Sequence, residues 1–390
     1  MCCILYGLSE IFLNKKYKEK ISPNSHKGKF KRVHSIKYKK FIEDNVNFDY
    51  SNLEIVLNDK EMQNANRPSI TSSKATIASS NIINDDQDAS IIEYCENLFS
   101  DIRAKDEITS DVLISSFLPN QNKNAIEKMN EGQGKSGSFF FHSYDHKFLI
   151  KTISNEELDF FLNSFSKSYH DHISNYSDSL ITKIYGVYSI VIKGVSEINI
   201  MVMQNLLNCS QSHINRIFDL KGSSIKRKTL NIEKCKKTQA LKDLDYQWIT
   251  KVEKKLVNFT HDQIQELTFL LQNDLLLFEK MNIMDYSLLF IILDFPDPTD
   301  PDYDNMLALL GDPKYLGHIY KSRNMKYIYI IGIIDFLQEF NWKKYCENKY
   351  KTMLYGDDVN QTSSVDSVYY SRRFLNFMKE NVFIYGSEAD

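Results

Sequence analysis

The sequence is poor in the residues that punctuate or staple small folds: 390 residues hold only 13 glycines, 7 prolines and 6 cysteines. So little glycine and proline excludes a collagen-like chain, and six cysteines in so long a chain exclude a small disulfide scaffold. The cysteines (Cys2, Cys3, Cys95, Cys209, Cys235 and Cys346) form no CxxC pair and have no histidine at metal spacing, so neither a zinc site nor a disulfide framework is supported. Reduced, intracellular thiols are the expectation. Long apolar runs are missing too. A membrane-spanning helix needs about 20 apolar residues, and the runs at 288–293 and 328–334 are far shorter. What is present is a chain 42% hydrophobic and 13% aromatic, enough for one large or two modest domains with a sizeable core, which also excludes wholesale disorder.

A large excess of either charge is absent as well, with 48 Lys+Arg against 51 Asp+Glu and a net charge of −3. The distribution is uneven. Residues 1–40 carry eleven basic and two acidic side chains, a local +9 that leaves −12 for the rest. A basic arm on an acidic body predicts an anionic partner, nucleic acid or a membrane surface, although no motif that reads bases accompanies it. Residues 1–13 (MCCILYGLSEIFL) are apolar, but Glu10 interrupts them and lysines follow rather than precede them, so they do not read as a secretory signal. Three readings stay open: an anchor acylated at Cys2 and Cys3, the end of a longer protein's last span, or a short amphipathic or disordered segment. Residues 58–90, rich in Asn, Ser, Asp and Gln, read as a linker between an arm at 1–57 and a folded domain beginning near residue 91. There IIEYCENLFSDI places apolar residues at helical spacing.

Farther along, 139–144 and 147–153 are β-prone runs joined by Asp145-His146, a predicted hairpin. A helix is expected over 156–169, strands over 183–194 and 198–207, and a chain turn after Asn205. Residues 262–281 form the best amphipathic helix, with Leu267, Leu270, Leu271, Leu275 and Phe278 on one face. Strands follow at 286–293 and 327–334 around an acidic, proline-containing loop, and 372–378 has a helical pattern. Strands grouped rather than strictly alternating with helices predict an α+β fold.

EGQGKSGSFFF at 131–141 invites a phosphate-loop reading, but a Walker A loop needs glycine where Met129 stands, and a strand pair rather than a helix follows. A glycine hairpin lying over a nucleotide's phosphates fits better. Lys151, on the hairpin's second strand, is placed to reach beneath that loop, and a helix carrying Glu157 comes next. Asp285 in NIMDYSLLF and Asp335 in IGIIDFLQ sit in apolar surroundings at strand edges; one carboxylate to take a hydroxyl proton and another to hold Mg²⁺ would suit phosphoryl transfer. HRDxxxxN, DFG and APE are all absent, which excludes an ordinary protein kinase.

GKSGSFFF, FLIKT, IYGVY, VMQNLL, FDLKGSSIKR, LKDLDY, NIMDYSLL, IGIIDFLQ and YYSRRFLNFM occur in this order. Together they resemble the phosphatidylinositol phosphate kinase family over about residues 91–385. The resemblance implies a two-lobed kinase-like fold, mainly antiparallel sheets with flanking helices. The N-lobe would be 91–207 and the C-lobe 208–390, with an activation and specificity loop at about 339–370. It also implies an enzyme that uses ATP and Mg²⁺ to phosphorylate a phosphoinositide in an anionic membrane.

Carried over by motif, Lys151 matches the ATP-phosphate lysine, Gly134, Ser136, Gly137 and Ser138 cover the phosphates, and Asn205 and Leu206 fall at the adenine hinge. Glu157 matches the partner of Lys151, with Glu156 and Asp159 competing for the role. Asp285 matches the catalytic aspartate, Lys221 the lysine near the transferred phosphate, and Asp335 the metal-binding aspartate. Lys226, Arg227, Lys228, Lys343 and Lys344 read as a substrate and membrane face. The double lysine leans toward phosphorylation of the 4-phosphate lipid at its 5-position; the other positional specificities of the family and a non-catalytic phosphoinositide-binding adaptor are the alternatives. A peripheral place at the cytosolic face of membranes is implied, a homodimer stays open and no nucleic acid is expected.

Overall fold

The computed structural model describes residues 4–12 in part, the backbone of 31–36, and residues 89–127, 138–192, 196–209, 211–229, 235–295, 317–341, 345 and 365–386. The chain divides into two compact units, interleaved in sequence: 1–144 with 150–154 and 185–202, and 145–149 with 155–184 and 203–390.

The first unit is a six-stranded sheet with helices. A helical stretch at residues 4–12 (α1) precedes β1 (Lys31–Ile36) and β2 (Ala89–Tyr94). Then come α2 (Glu96–Lys105), α3 (Ser110–Phe117), α4 (Lys123–Glu127), β3 (Phe140–His142), β4 (Phe148–Ile153), β5 (Ile184–Ile192) and β6 (Ile198–Gln204). The strand order is β1-β2-β5-β6-β4-β3. The expected hairpin is present as β3 and β4. IIEY is not helical, however: Ile91 and Ile92 are buried in β2 between β1 and β5, and the helix starts only after Cys95, whose φ of +49° turns the chain. Burial in a sheet interior outweighed a helical spacing that the strand and the helix share between them.

The N-terminal expectations also change. Ile4, Leu5, Leu8, Ile11 and Phe12 are buried, Ser9 Oγ donates to the Phe117 carbonyl at 3.1 Å, and Phe12 stacks on Phe117 at 6.4 Å. This apolar face is therefore part of the core of the first unit rather than a surface presented to a bilayer. The strand from the basic arm, β1, extends the same sheet by pairing with β2.

The second unit holds α5 (Asn155–Phe160), which runs through a π-helical turn at Phe161–Phe165 into α6 (Ser166–Asn175). It continues with β7 (Ile214–Leu220), β8 (Ala240–Leu241), α7 (Asp243–Val252), α8 (His261–Lys280), β9 (Ile283–Met284) and β10 (Ser287–Asp294). The unit closes with β11 (His318–Lys321), β12 (Tyr327–Ile334), β13 (Gln338–Glu339) and α9 (Ser367–Phe377). Its main sheet has the order β11-β12-β10-β7-β8, antiparallel except for the parallel β7–β8 pair. α8 is the amphipathic helix expected from sequence, opened by a Thr260–Gln263 capping box, and Leu267, Leu271, Leu275 and Phe278 form its buried stripe.

The expected N-lobe boundary at 207 differs from the division observed, because 155–184 belongs to the second unit. Two sets of contacts fix it there. Phe336 lies between Tyr169, at 6.1 Å, and Phe278, at 5.9 Å. The Asp274 carboxylate, fully buried on α8, receives His172 Nε2 and Ser179 Oγ at 2.7 Å each and the Leu180 N–H at 2.8 Å. Mixed helices and largely antiparallel sheets make the fold α+β, as the sequence predicts.

Candidate active site

The site grows from the loop after β7. Asp243, at the first turn of α7, is 1% exposed. Its Oδ1 accepts from the backbone N–H groups of Lys221 at 2.9 Å, Gly222 at 2.7 Å and Ser223 at 3.4 Å. Its Oδ2 accepts from Arg227 Nε at 2.6 Å. A carboxylate there also suits the positive end of the helix dipole. Arg227 spans the loop, because its Nη2 donates to Asp219 Oδ1 at 3.0 Å and to the Asp219 carbonyl. Asp245 secures the far side, accepting from Thr229 Oγ1 at 2.6 Å and from the Lys242 N–H at 3.0 Å. Gly222 has φ +61°, and a Cβ there would stand 3.1 Å from Phe377 Cβ and 3.2 Å from Phe374 Cα, so α9 packs directly on the loop backbone.

What the loop presents is Lys221. Its Nζ donates to Asp285 Oδ1 at 2.6 Å and to the Asp285 carbonyl at 2.7 Å. Asp285 is placed by two ladders. Ser287 of β10 pairs with Ile334 of β12, and Met284 of β9 pairs with Gln338 of β13. Between those pairs lie Asp285 and Tyr286 on one strand path and Asp335, Phe336 and Leu337 on the other, so both aspartates fall at one break in the pairing. Both occupy the left-handed region, Asp285 at φ +64° and Asp335 at φ +61°. Aspartate tolerates that region better than most residues, and buried neighbours hold it there: Tyr286 packs on Tyr370 and Phe374, and Phe336 in the aromatic cluster of α6 and α8.

Electrostatics support the arrangement. Burial would raise the Asp219 carboxyl, but Arg227 and Lys221 beside it outweigh that and hold it below the usual carboxylate range. The same two acids, Asp219 and Asp243, overcome the cost of burying the Arg227 guanidinium and raise its pKa.

The structure thus brings Lys221, Asp285 and Asp335 together in one unit. Lys151 lies in the first unit, buried in β4 with its Nζ 5.8 Å from the centre of the Phe140 ring. Glu157 is half-buried in the first turn of α5, whereas Glu156 and Asp159 are exposed. At the expected hinge, Asn205 ties the turn to residues 146–147: its Nδ2 donates to the His146 carbonyl at 2.7 Å and its N–H to the Lys147 carbonyl at 3.2 Å. Leu206 is buried with Ile214, Ile217, Ile291 and Ile330, seated where a Cβ on Gly317 or Gly332 would come within 2.7 Å or 2.5 Å of its methyl groups.

Arg227 requires a correction. It is 8% exposed and engaged with Asp219 and Asp243, so it clamps the loop instead of facing a membrane, while Lys226 and Lys228 on either side are exposed. Ser138 is half-buried just before β3. Gly134, Ser136, Gly137, Lys343 and Lys344 lie outside the described residues. Asp219, Asp243 and Asp245 were missed as positioning residues although FDLKGSS and LKDLDY contain them; their signal is the clustering of acids beside a basic run.

Among the described residues no group of three or more His, Cys, Asp or Glu is arranged for a metal. Mg²⁺ does not need such a group, since it is commonly held by one or two carboxylates and completed by nucleotide phosphates, and a single carboxylate such as Asp335 has the chemistry for that.

The family model for "Phosphatidylinositol-4-phosphate 5-Kinase" matches residues 120–306 and 310–381. Phosphatidylinositol 4-phosphate 5-kinase 4 of Arabidopsis thaliana is 28% identical over 337 residues, covering 73% of this chain and 41% of its own length. Phosphatidylinositol 4-phosphate 5-kinase 1 of the same plant is 28% identical over 352 residues, 75% of this chain and 45% of its own. The mouse type-1 beta phosphatidylinositol 4-phosphate 5-kinase is 31% identical over 285 residues, 64% of this chain and 51% of its own. The chain spans about half the length, or less, of these curated relatives. With two thirds of its residues matched by that model, carrying the Lys221 loop, Asp285 and Asp335, the chain belongs to the phosphatidylinositol-4-phosphate 5-kinase family.

Proposed function

We propose that this chain transfers the γ-phosphoryl group of ATP to the head group of a phosphatidylinositol phosphate in an anionic membrane, converting the 4-phosphate lipid to the 4,5-bisphosphate. The observation that carries the reading is the 2.6 Å contact of Lys221 with Asp285, held in a loop pinned by Asp243 and set at the same break in the ladders as Asp335.

Phosphoryl transfer asks the protein chiefly for positioning and for stabilisation of charge. Asp285 orients the inositol hydroxyl and receives its proton. Lys221, rigid because Asp243 holds its backbone N–H, offers a fixed positive charge beside that carboxylate for the transferring group. Lys151 neutralises the nucleotide phosphates, and Ser138 with Gly134, Ser136 and Gly137 covers them. Asn205 and Leu206 form the adenine hinge. Mg²⁺, when bound through Asp335 and the phosphates, supplies further neutralisation of developing charge. The exposed lysines Lys226 and Lys228, with Lys343 and Lys344, serve the anionic surface.

The test is transfer of labelled phosphate from ATP to a panel of phosphoinositides, with the position of the label determined in the product. Lys151→Met, Lys221→Met, Asp285→Asn and Asp335→Asn should each reduce turnover by at least about a thousandfold while the protein stays folded, because asparagine tolerates the left-handed region as aspartate does. Turnover surviving in the Lys151 or Asp335 variant would remove the assignment. Label at the 4-position would keep the activity and overturn the positional specificity.

A further inference from the structure

α7 carries the two carboxylates that organise the Lys221 loop on one side and an unusual surface on the other. Tyr246 and Ile249 face the core, whereas Trp248 is 59% exposed and Val252, one turn on, is 65% exposed. Leu244, Trp248, Lys251 and Val252 recur at spacings of three and four, so they share one stripe of the helix. Exposed apolar residues scattered singly are ordinary; here a tryptophan and a valine stand together among lysines. Lys251, Lys254 and Lys255 are exposed in and after the last turn, and Lys226 and Lys228 are exposed on the loop held at the other end of the same helix. The intervening acid, Glu253, is engaged by Arg216 at 3.6 Å.

We propose that this face of α7 is a membrane-contact surface, with Trp248 and Val252 entering the headgroup region of an anionic bilayer and the lysines meeting its charge. Two arguments select a bilayer over a protein partner. The net charge around the apolar pair is positive, because Glu253 is paired with Arg216, and so is complementary to an anionic surface. Tryptophan, apolar in body with one polar N–H, is a residue characteristic of the membrane–water interface. The contact would also have a purpose. Trp248 lies five residues from Asp243, about 7.5 Å along the helix axis, so insertion at Trp248 fixes the height and tilt of the Lys221 loop over the membrane. The purpose rests on the lipid substrate proposed above; the contact itself is tested without it.

The test uses the whole chain carrying Trp342→Phe, which leaves Trp248 as its single tryptophan, and vesicles of phosphatidylserine and phosphatidylcholine with neither phosphoinositide nor ATP. The expected result is a blue shift of Trp248 emission on vesicle addition and quenching by lipids brominated near the headgroup. Trp248→Ala should weaken vesicle partitioning about tenfold, as loss of one buried large apolar side chain implies, with the thermal midpoint and turnover on soluble short-chain substrate retained. Charge reversal at Lys251 and Lys254 should cost at least roughly fivefold for each residue at physiological salt. Unchanged emission, or equal partitioning of the Trp248→Ala variant, overturns the proposal. An emission shift that follows protein concentration without vesicles assigns the face to a second copy and overturns it too. Insertion by a protein that transfers no phosphate would sink the kinase reading and leave this one standing.

Discussion

Asp243 and Asp274 are both 1% exposed or less, both lie on helices of the second unit, and each gathers donors from an earlier segment of the chain. Their partners differ in kind. Asp243 holds three backbone N–H groups and a guanidinium, a charge that stays on at any relevant pH. Asp274 holds a hydroxyl, a backbone N–H and an imidazole, whose charge depends on its protonation. The loop that carries Lys221 is therefore set by a permanently charged clamp, whereas the attachment of α6 and the segment after it to α8 is set mainly by hydrogen bonds. The chemistry proposed for Lys221 depends on the position of one ammonium group and would be served by the first device; joining elements within a unit needs only the second.

Breaking the clamp should give the largest effect. Asp243→Ala removes the acceptor of three N–H groups and leaves Arg227 with Asp219 as its other carboxylate partner, at a cost of about 3–5 kcal/mol in denaturant unfolding, and it should abolish phosphate transfer. Asp274→Asn keeps the shape but loses acceptor capacity, so about 1–3 kcal/mol is expected with turnover on soluble substrate largely kept. If the Asp274 variant lost turnover as completely as the Asp243 variant, the division of labour between the two would fail. Gly222→Ala should cost at least about 1–2 kcal/mol for the left-handed backbone alone and also lower kcat by pushing the loop off Phe374 and Phe377.

Titration sharpens the same contrast by smaller amounts. Arg227 and Lys221 hold the Asp219 carboxyl below its ordinary value against the effect of burial. The unfolded chain therefore takes up that proton first, and the stability is complete above about pH 4 and lost as pH falls further. Asp219→Asn should flatten this acid limb. The smallest effect belongs to His318, whose Nε2 lies 3.2 Å from the Ser179 carbonyl and whose pKa burial lowers from the ordinary value. Its proton also goes first to the unfolded chain, so stability declines as pH falls through about 6.5. His318→Gln should reduce the slope of stability between about pH 5 and 7 without altering the acid limb assigned to Asp219.

Much of the candidate site was legible in the sequence because its motifs are local. DLKGS and MDYSLL each supply one candidate residue, Lys221 and Asp285, next to the strand that places it, and IIDFLQ does the same for Asp335 at the end of β12. The reading failed where neighbours in space decided the outcome. Lys226-Arg227-Lys228 is one basic run by composition, yet Asp219 and Asp243 draw its middle member inside. In the same way, IIEYCENLF reads as helical because its pattern merges a strand and a helix that only the sheet partners separate.

The sequence by itself determined the family, the α+β class, the amphipathic helix at α8 and which lysine and aspartates are the candidates for the site. These depend on side-chain types at short spacing along the chain, and such spacing is written in the sequence. Tertiary structure decided which charges are clamps and which are surface, that the apolar residues of α1 lie in the core of the first unit, and that 155–184 belongs to the second. Burial and ion pairing are properties of residues brought together from distant positions. The free energy of Arg227 inside the loop comes from Asp219, eight residues before it, and Asp243, sixteen after it, meeting at one point.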